Sequence, residues 1–216
     1  MKIIPKKSLG QNFLIDDNVV KKICNSGCIK EEDYILEIGP GTGKLTEFLM
    51  LKNPRKFYLI EKDKGLIGLL NKKFKDKVTV INEDILKFEL KVLSNSNLVV
   101  FGNLPYNISS QILSKFIHYN KLEFEYKKLV FMFQKEVADR ILADYNSKNY
   151  GRLSIFSSWK LKIKKIMDID PSSFFPKPKV ISSLLVFEPK TQFVEFKDSK
   201  NLEHITNIFF NQKRKM

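Results

Sequence analysis

Five residues, Tyr34-Ile-Leu-Glu-Ile38, read as a buried strand that ends directly in Gly39-Pro-Gly-Thr-Gly43, after which Leu45, Phe48, Leu49 and Leu51 form the apolar side of a helix. A strand turning through glycines into a helix opens an α/β sheet whose ligand site lies beyond the strand's carboxyl end. The rest of the chain keeps the rhythm. Strands are predicted at residues 57–61, 78–82, 98–102 and 129–133. Helices are predicted at 17–25 with Asp16 as cap, at 65–74, and around Ile112, Leu113, Phe116 and Ile117. Such alternation puts helices on both faces of a parallel sheet. Two later strands, 160–168 and 182–187, are separated by a proline-rich loop, which suits an antiparallel pair. Residues 201–211 read as a further amphipathic helix.

Spacing in the glycine loop decides among nucleotide chemistries. Dinucleotide sites use G-x-G-x-x-G, whereas this loop is G-x-G-x-G, and a phosphate loop needs Ser or Thr where Leu45 follows Lys44. Two carboxylates complete the pattern. Glu61 ends the second strand 22 residues after Gly39, a position from which a carboxylate accepts from both ribose hydroxyls. Asp84 follows the third strand, where it can accept from an adenine amino group. With Gly39 and Gly41, these acids suggest an adenosine that carries no pyrophosphate, and S-adenosylmethionine leads the candidates.

Beyond the fourth strand stands Phe101-Gly-Asn-Leu-Pro-Tyr-Asn-Ile-Ser109. The N6 lone pair of adenine is delocalised into the ring and is a poor nucleophile. Acceptors on both of its hydrogens, the Asn103 side-chain oxygen and the Leu104 carbonyl, would localise that pair. Pro105 fixes the backbone and Tyr106 offers a stacking face. Attack on a sulfonium methyl needs alignment rather than a strong base. The base must arrive single-stranded or flipped out of a helix.

Charge sets the partner class. The 216-residue chain carries a net charge of +14, which points to a polyanion, nucleic acid before an anionic membrane surface. Four of the 38 basic residues are arginines, so a lysine-rich composition inflates that charge. Two cysteines, Cys24 and Cys28 in a predicted helix, exclude a disulfide framework; with two histidines in the chain they leave a zinc site short of ligands, and no metal is expected. The N-terminus lacks an apolar leader core and no run reaches the ~18 apolar residues of a membrane span, so a soluble, cytoplasmic protein is expected.

The segments SLGQNFL (8–14), EIGPGTGKLT (37–46), VFGNLPYNIS (100–109), FMFQKEVADR (131–140), YGRLS (150–154) and PSSFFPKPKV (171–180), with Glu61 and Asp84, resemble the ribosomal RNA adenine dimethyltransferases. The order is the family's and covers essentially the whole chain. The branch most resembled dimethylates two adjacent adenines near the 3′ end of small-subunit (16S) rRNA. The resemblance implies a class I S-adenosylmethionine-dependent methyltransferase. Its fold would be a Rossmann-like seven-stranded α/β sheet with a terminal antiparallel hairpin over residues 1–190, followed by the start of a small helical RNA-docking domain at 191–216. Asn12 and Leu14 would close the methionine end of the donor pocket, and Gly39, Gly41, Glu61, Asp84 and Asn103 would bind the donor. Asn103, Leu104, Pro105 and Tyr106 would clamp the target amine, with Phe174 as a second stacking face. The implied partner is small-subunit rRNA or the immature subunit, met by a monomer.

Members of this family usually continue beyond the position of Met216, so an incomplete RNA-docking domain is expected. Lys6-Lys7 and Lys213-Arg-Lys215 are the expected RNA-backbone contacts, whereas Lys162 and Lys164 read as a solvated strand face. Three rival readings share much of the pattern. The antibiotic-resistance branch acts on large-subunit rRNA and often has Ile in place of Leu104. A non-catalytic ribosome-assembly or transcription factor on the same fold is disfavoured by intact Asn103, Pro105 and Tyr106. A DNA adenine methylase more usually has Asp and Pro in place of Asn103 and Leu104.

Overall fold

The structure is a computed structural model that describes residues 4–119, 124–196 and 199–211. Its strands are β1 Phe13–Leu14, β2 Tyr34–Ile38, β3 Lys56–Ile60, β4 Thr79–Ile81, β5 Leu98–Asn103, β6 Lys128–Gln134, β7 Leu161–Ile169, β8 Phe174–Phe175 and β9 Ser182–Pro189. Its α-helices are α1 Asp17–Ser26, α2 Lys44–Met50, α3 Lys64–Phe74, α4 Ser109–His118, α5 Lys135–Ile141, α6 Arg152–Lys160 and α7 Ser199–Asn211. Seven strands form one sheet in the order β4-β3-β2-β5-β6-β9-β7. The first five are parallel, and β9 runs antiparallel to both β6 and β7. Because β3 and β5 flank β2 on opposite sides, the winding reverses there and leaves a crevice at the strands' carboxyl ends.

Alternation along the central strands divides the core in two. Ile35, Leu59, Val99 and Phe101 pack with Ile23, Leu49 and Leu70 of α1–α3. Leu36, Ile60, Val100 and Phe131 pack with Leu113 and Phe116 of α4 and Phe156 of α6. Each such side chain contributes roughly 1.5–3 kcal/mol on burial, so the sheet is anchored from both faces.

All seven predicted strands are present, and the antiparallel pair runs as expected. Asp16 caps α1 by accepting from the N–H groups of Asn18 and Val19. Leu51 departs from its expected place: α2 ends at Met50, and Leu51 is 76% exposed at the cap. Cys28 likewise lies beyond the end of α1, exposed, while Cys24 is buried. Helices α5 and α6 were not anticipated. Buried Ser154 and Ser157 interrupt the apolar stripe of α6, and α5 follows β6 with no turn residue between them. Helix α7 packs on α6, where Arg152 pairs with Glu203 and donates to the Asn207 side-chain oxygen at 3.3 Å. The Lys213–Lys215 stretch lies outside the described residues. Among the described residues, no helix is long and apolar enough to cross a membrane and no group of three His, Cys, Asp or Glu side chains is placed to hold a metal.

Candidate active site

One cavity occupies the crevice, lined by residues 8–14, 37–42, 60–62, 83–85 and 103–108 together with Lys44 and Leu45. Every predicted site residue except Phe174 is on that lining. Gly39, at φ 65°, has open space where a Cβ would stand. At Gly41, φ is 58° and a Cβ would lie 2.7 Å from the Phe13 ring, so only glycine lets residues 8–14 close over the loop.

Glu61 is not a solvated strand-end acid. It is 6% exposed; Oε1 accepts from the Asp63 N–H at 2.8 Å and Oε2 from the Gly41 N–H at 3.2 Å. Burial raises its pKa, against the pull of those two N–H groups. Each carboxylate oxygen accepts more than one bond, so capacity remains for a diol. Asp84 accepts from the Leu86 N–H at 3.0 Å and pairs with Lys62 at 2.9 Å. Burial opposes its ionisation, but Lys62 and the Leu86 N–H outweigh it and hold the carboxyl below the ordinary aspartate value.

Glu37 was not singled out in the sequence, although it is the one acid within an otherwise apolar strand. It is 2% exposed, accepts from the Thr46 hydroxyl at 2.7 Å, and is pushed up to about 8, chiefly by burial. Glu61, Glu83 and Asp84 face the cavity beside Glu37, which burial keeps protonated, and with Lys44 and Lys62, each lysine already paired with an aspartate. A lining of this sign repels pyrophosphate and accommodates a sulfonium cation, which fits an S-adenosylmethionine-type donor.

Asn103 ends β5 with its Nδ2 donating to the Asn12 carbonyl at 2.7 Å. A carbonyl only accepts, so this bond fixes the amide: NH2 toward Asn12, Oδ1 away. Among the described residues no donor reaches Asn103 Oδ1 or the Leu104 carbonyl. The Leu104 side chain is buried against Gly102, and the Pro105 carbonyl accepts from the Ile108 N–H at 3.1 Å. Tyr106 is half-buried, its hydroxyl 2.6 Å from Ser182 Oγ at the start of β9.

Phe174 differs from its expected role. Paired with Leu14 across β1 and β8, it is 2% exposed within the α1–α3 core, so its ring is sealed from the cavity. Its neighbour Phe175 is exposed.

Asp63 ties residues 6–12 over the cavity. It accepts from Lys6 Nζ at 2.6 Å, Gln11 Nε2 at 2.8 Å and, as cap of α3, the Gly65 N–H at 2.9 Å. Burial opposes its charge, but these donors hold its carboxyl below the ordinary value. Lys6 is therefore engaged with Asp63 rather than free for RNA, with Lys7 exposed beside it. Sequence reading missed Asp63, Gln11 and Ser182. Each acts through a partner at least 52 positions away, which leaves no local signal.

Residues 4–216 match the family described as ribosomal RNA adenine dimethylase. The ribosomal RNA small subunit methyltransferase A of Pelagibacter ubique (strain HTCC1062) is 56% identical over 211 residues, covering 98% of this chain and 80% of the relative. Among solved structures, a dimethyladenosine transferase from Plasmodium falciparum superposes with a TM-score of 0.78 at 30% identity, over 94% of this chain and 72% of that one. The 23S rRNA methyltransferase ErmE shares the fold, with a TM-score of 0.76 at 22% identity over 94% of this chain and 81% of its own. Profile, relative and superposition agree with the cavity's chemistry, and the chain belongs to the ribosomal RNA adenine dimethylase family.

Proposed function

We propose that the protein transfers methyl groups from S-adenosylmethionine to N6 of two adjacent adenines near the 3′ end of small-subunit rRNA. The observation that carries this reading is the Asn103 amide, held by the Asn12 carbonyl with its Oδ1 and the neighbouring Leu104 carbonyl left as acceptors beside an acid-lined cavity. Glu61 takes the ribose hydroxyls and Asp84 the adenine amine of the donor, while Asn12, Leu14, Gly39 and Gly41 shape the cavity around it. When bound, the donor supplies a methyl group on a positively charged sulfur. Asn103 Oδ1 and the Leu104 carbonyl each accept one N6 hydrogen, Pro105 fixes the turn, and Tyr106 stacks on the base. Held by these two acceptors, N6 would present its lone pair to the methyl group that the donor would supply, and the N6 proton would be released to solvent. Phe174 can act as a stacking face only if the β1–β8 pair opens. Residues 1–190 hold the sheet and the whole cavity, and we assign 191–216 to an RNA-docking element that includes α7.

Labelled donor incubated with unmethylated small subunits, large subunits or naked DNA, followed by mapping of the label, tests the assignment. Label on adjacent small-subunit adenines, abolished by Asn103→Ala, is expected. Label on large-subunit rRNA overturns the substrate. Donor binding without transfer to any of them overturns the activity. Glu61→Ala should lose donor affinity, and unchanged affinity removes Glu61 from the site.

A further inference from the structure

Lys115 stands on α4, two turns beyond the start of the helix that follows Tyr106. Its ammonium reaches across to the loop after β4 and donates to three backbone carbonyls there: Ile85 at 2.9 Å, Leu86 at 3.1 Å and Phe88 at 2.6 Å. An ammonium has three N–H donors, so all of them serve one loop. That loop begins at Asp84. The Asp84 side chain accepts from the Leu86 N–H, and its carbonyl accepts from the N–H groups of Lys87 at 2.8 Å and Phe88 at 2.9 Å. Residues 84–88 are thus a closed turn, anchored by buried Ile85 and Phe88, whose carbonyls converge on one cation. Burial holds the Lys115 ammonium below the usual lysine range, with Glu89, Asp84 and Glu83 pulling it back. A cation partly withdrawn from water needs such partners, and these set the direction of the turn.

We propose that Lys115 is a positioning residue for donor recognition: by gathering these carbonyls it aims Asp84 at the exocyclic amine of the donor adenine. The inference rests on the reading of Asp84 given above. It makes α4, which follows the target clamp, the element that also sets base selectivity on the donor side.

Calorimetry on the full chain with two probes tests it: S-adenosylhomocysteine, and the analogue with hydrogen in place of the 6-amino group. A single hydrogen bond to a charged acceptor implies that the wild type prefers the amine-bearing probe by about tenfold. Asp84→Ala should erase that preference. Lys115→Met should erase most of it by weakening the amine-bearing probe alone, Lys115→Arg should restore much of it, and the double variant should be no worse than Asp84→Ala. Equal weakening of both probes by Lys115→Met, or additive losses in the double variant, overturns the proposal in favour of a general structural role. A wild-type preference in Lys115→Met, with the preference lost in Asp84→Ala, overturns the proposal and leaves the Asp84 reading intact. An unaltered preference in Asp84→Ala overturns both. If Lys115→Met does not fold, Lys115→Gln replaces it, with the same pattern at smaller amplitude expected and equal weakening of both probes again decisive against.

Discussion

Replacing Asn103 by Asp keeps the side chain's shape and its acceptor atoms while removing both N–H donors. The Asn12 carbonyl, 2.7 Å from Nδ2, would then face a carboxylate oxygen across the same gap. Removing the donor and leaving the Asn12 carbonyl unpaired costs about 1–3 kcal/mol. Turning the carboxylate away relieves the contact but also turns an acceptor from its place beside Leu104. At about 1.4 kcal/mol per tenfold, kcat/KM should fall roughly 5- to 150-fold. The assay is single-turnover methyl transfer to unmethylated small subunits from mildly acidic to mildly alkaline pH, beside Asn103→Ala. A protonated carboxyl donates to Asn12 and keeps one acceptor, so activity of Asn103→Asp relative to wild type should climb as pH falls. The Asn103→Ala ratio should stay flat. Activity of Asn103→Asp within about threefold of wild type at alkaline pH is a loss of under 1 kcal/mol and would refute the orienting role of Asn12.

Glu37, raised from 4.5 to about 8, holds a proton in the folded state that it releases on unfolding, so its contribution is full below about pH 4.5 and lost as pH rises through about 8. In thermal melts without donor, Glu37→Gln should gain stability relative to wild type steadily across that window. A pH-independent difference would contradict the buried protonated acid. Gln11→Ala removes the 2.8 Å bond to charged Asp63 and should raise the donor's Kd about tenfold, read by calorimetry. Ser182→Ala leaves the Tyr106 hydroxyl without its 2.6 Å partner; a kcat drop of about fivefold with unchanged donor Kd is expected, for a hydrogen bond worth about 1 kcal/mol.

What could be read in advance followed from short-range physics. Tyr34–Ile38 with its glycine turn, the Asp16 cap and the alternating strand–helix rhythm each lie within a few residues, and the structure reproduces them. Glu61 and Asp84 were legible because strand ends in such a sheet point to one crevice, and both line it. Legibility ended where the deciding partner is distant. The two-residue strands β1 and β8 are too short to carry a pattern and exist through each other, and their pairing is what buries Phe174. Lys6 reads as one more basic residue until Asp63, 57 positions away, is placed beside it. Helix α6 hides because Ser154 and Ser157 occupy its inward face; Ser154 bonds the Gly151 backbone, a reason no periodicity reports.

Residues 11–14 link four parts of the site in turn. Gln11 bonds Asp63, whose own N–H is given to Glu61; Asn12 lends its carbonyl to Asn103; Phe13 fills the space left by Gly41; Leu14 pairs with Phe174. Glu61 through Asp63, the glycine loop, Asn103 and the Phe174 loop therefore share one short segment. The decisive acceptor in it is a main-chain carbonyl, which no side-chain substitution at Asn12 can delete. Its position is set by what holds the segment down: the Asp63 latch at one end and the β1–β8 pair at the other. Perturbing either end should move donor affinity and turnover together, whereas Ser182, which meets Tyr106 from β9 and makes no bond to this segment, should move turnover alone. That division follows from connectivity, and it separates a segment that assembles the site from a residue that trims one side chain within it.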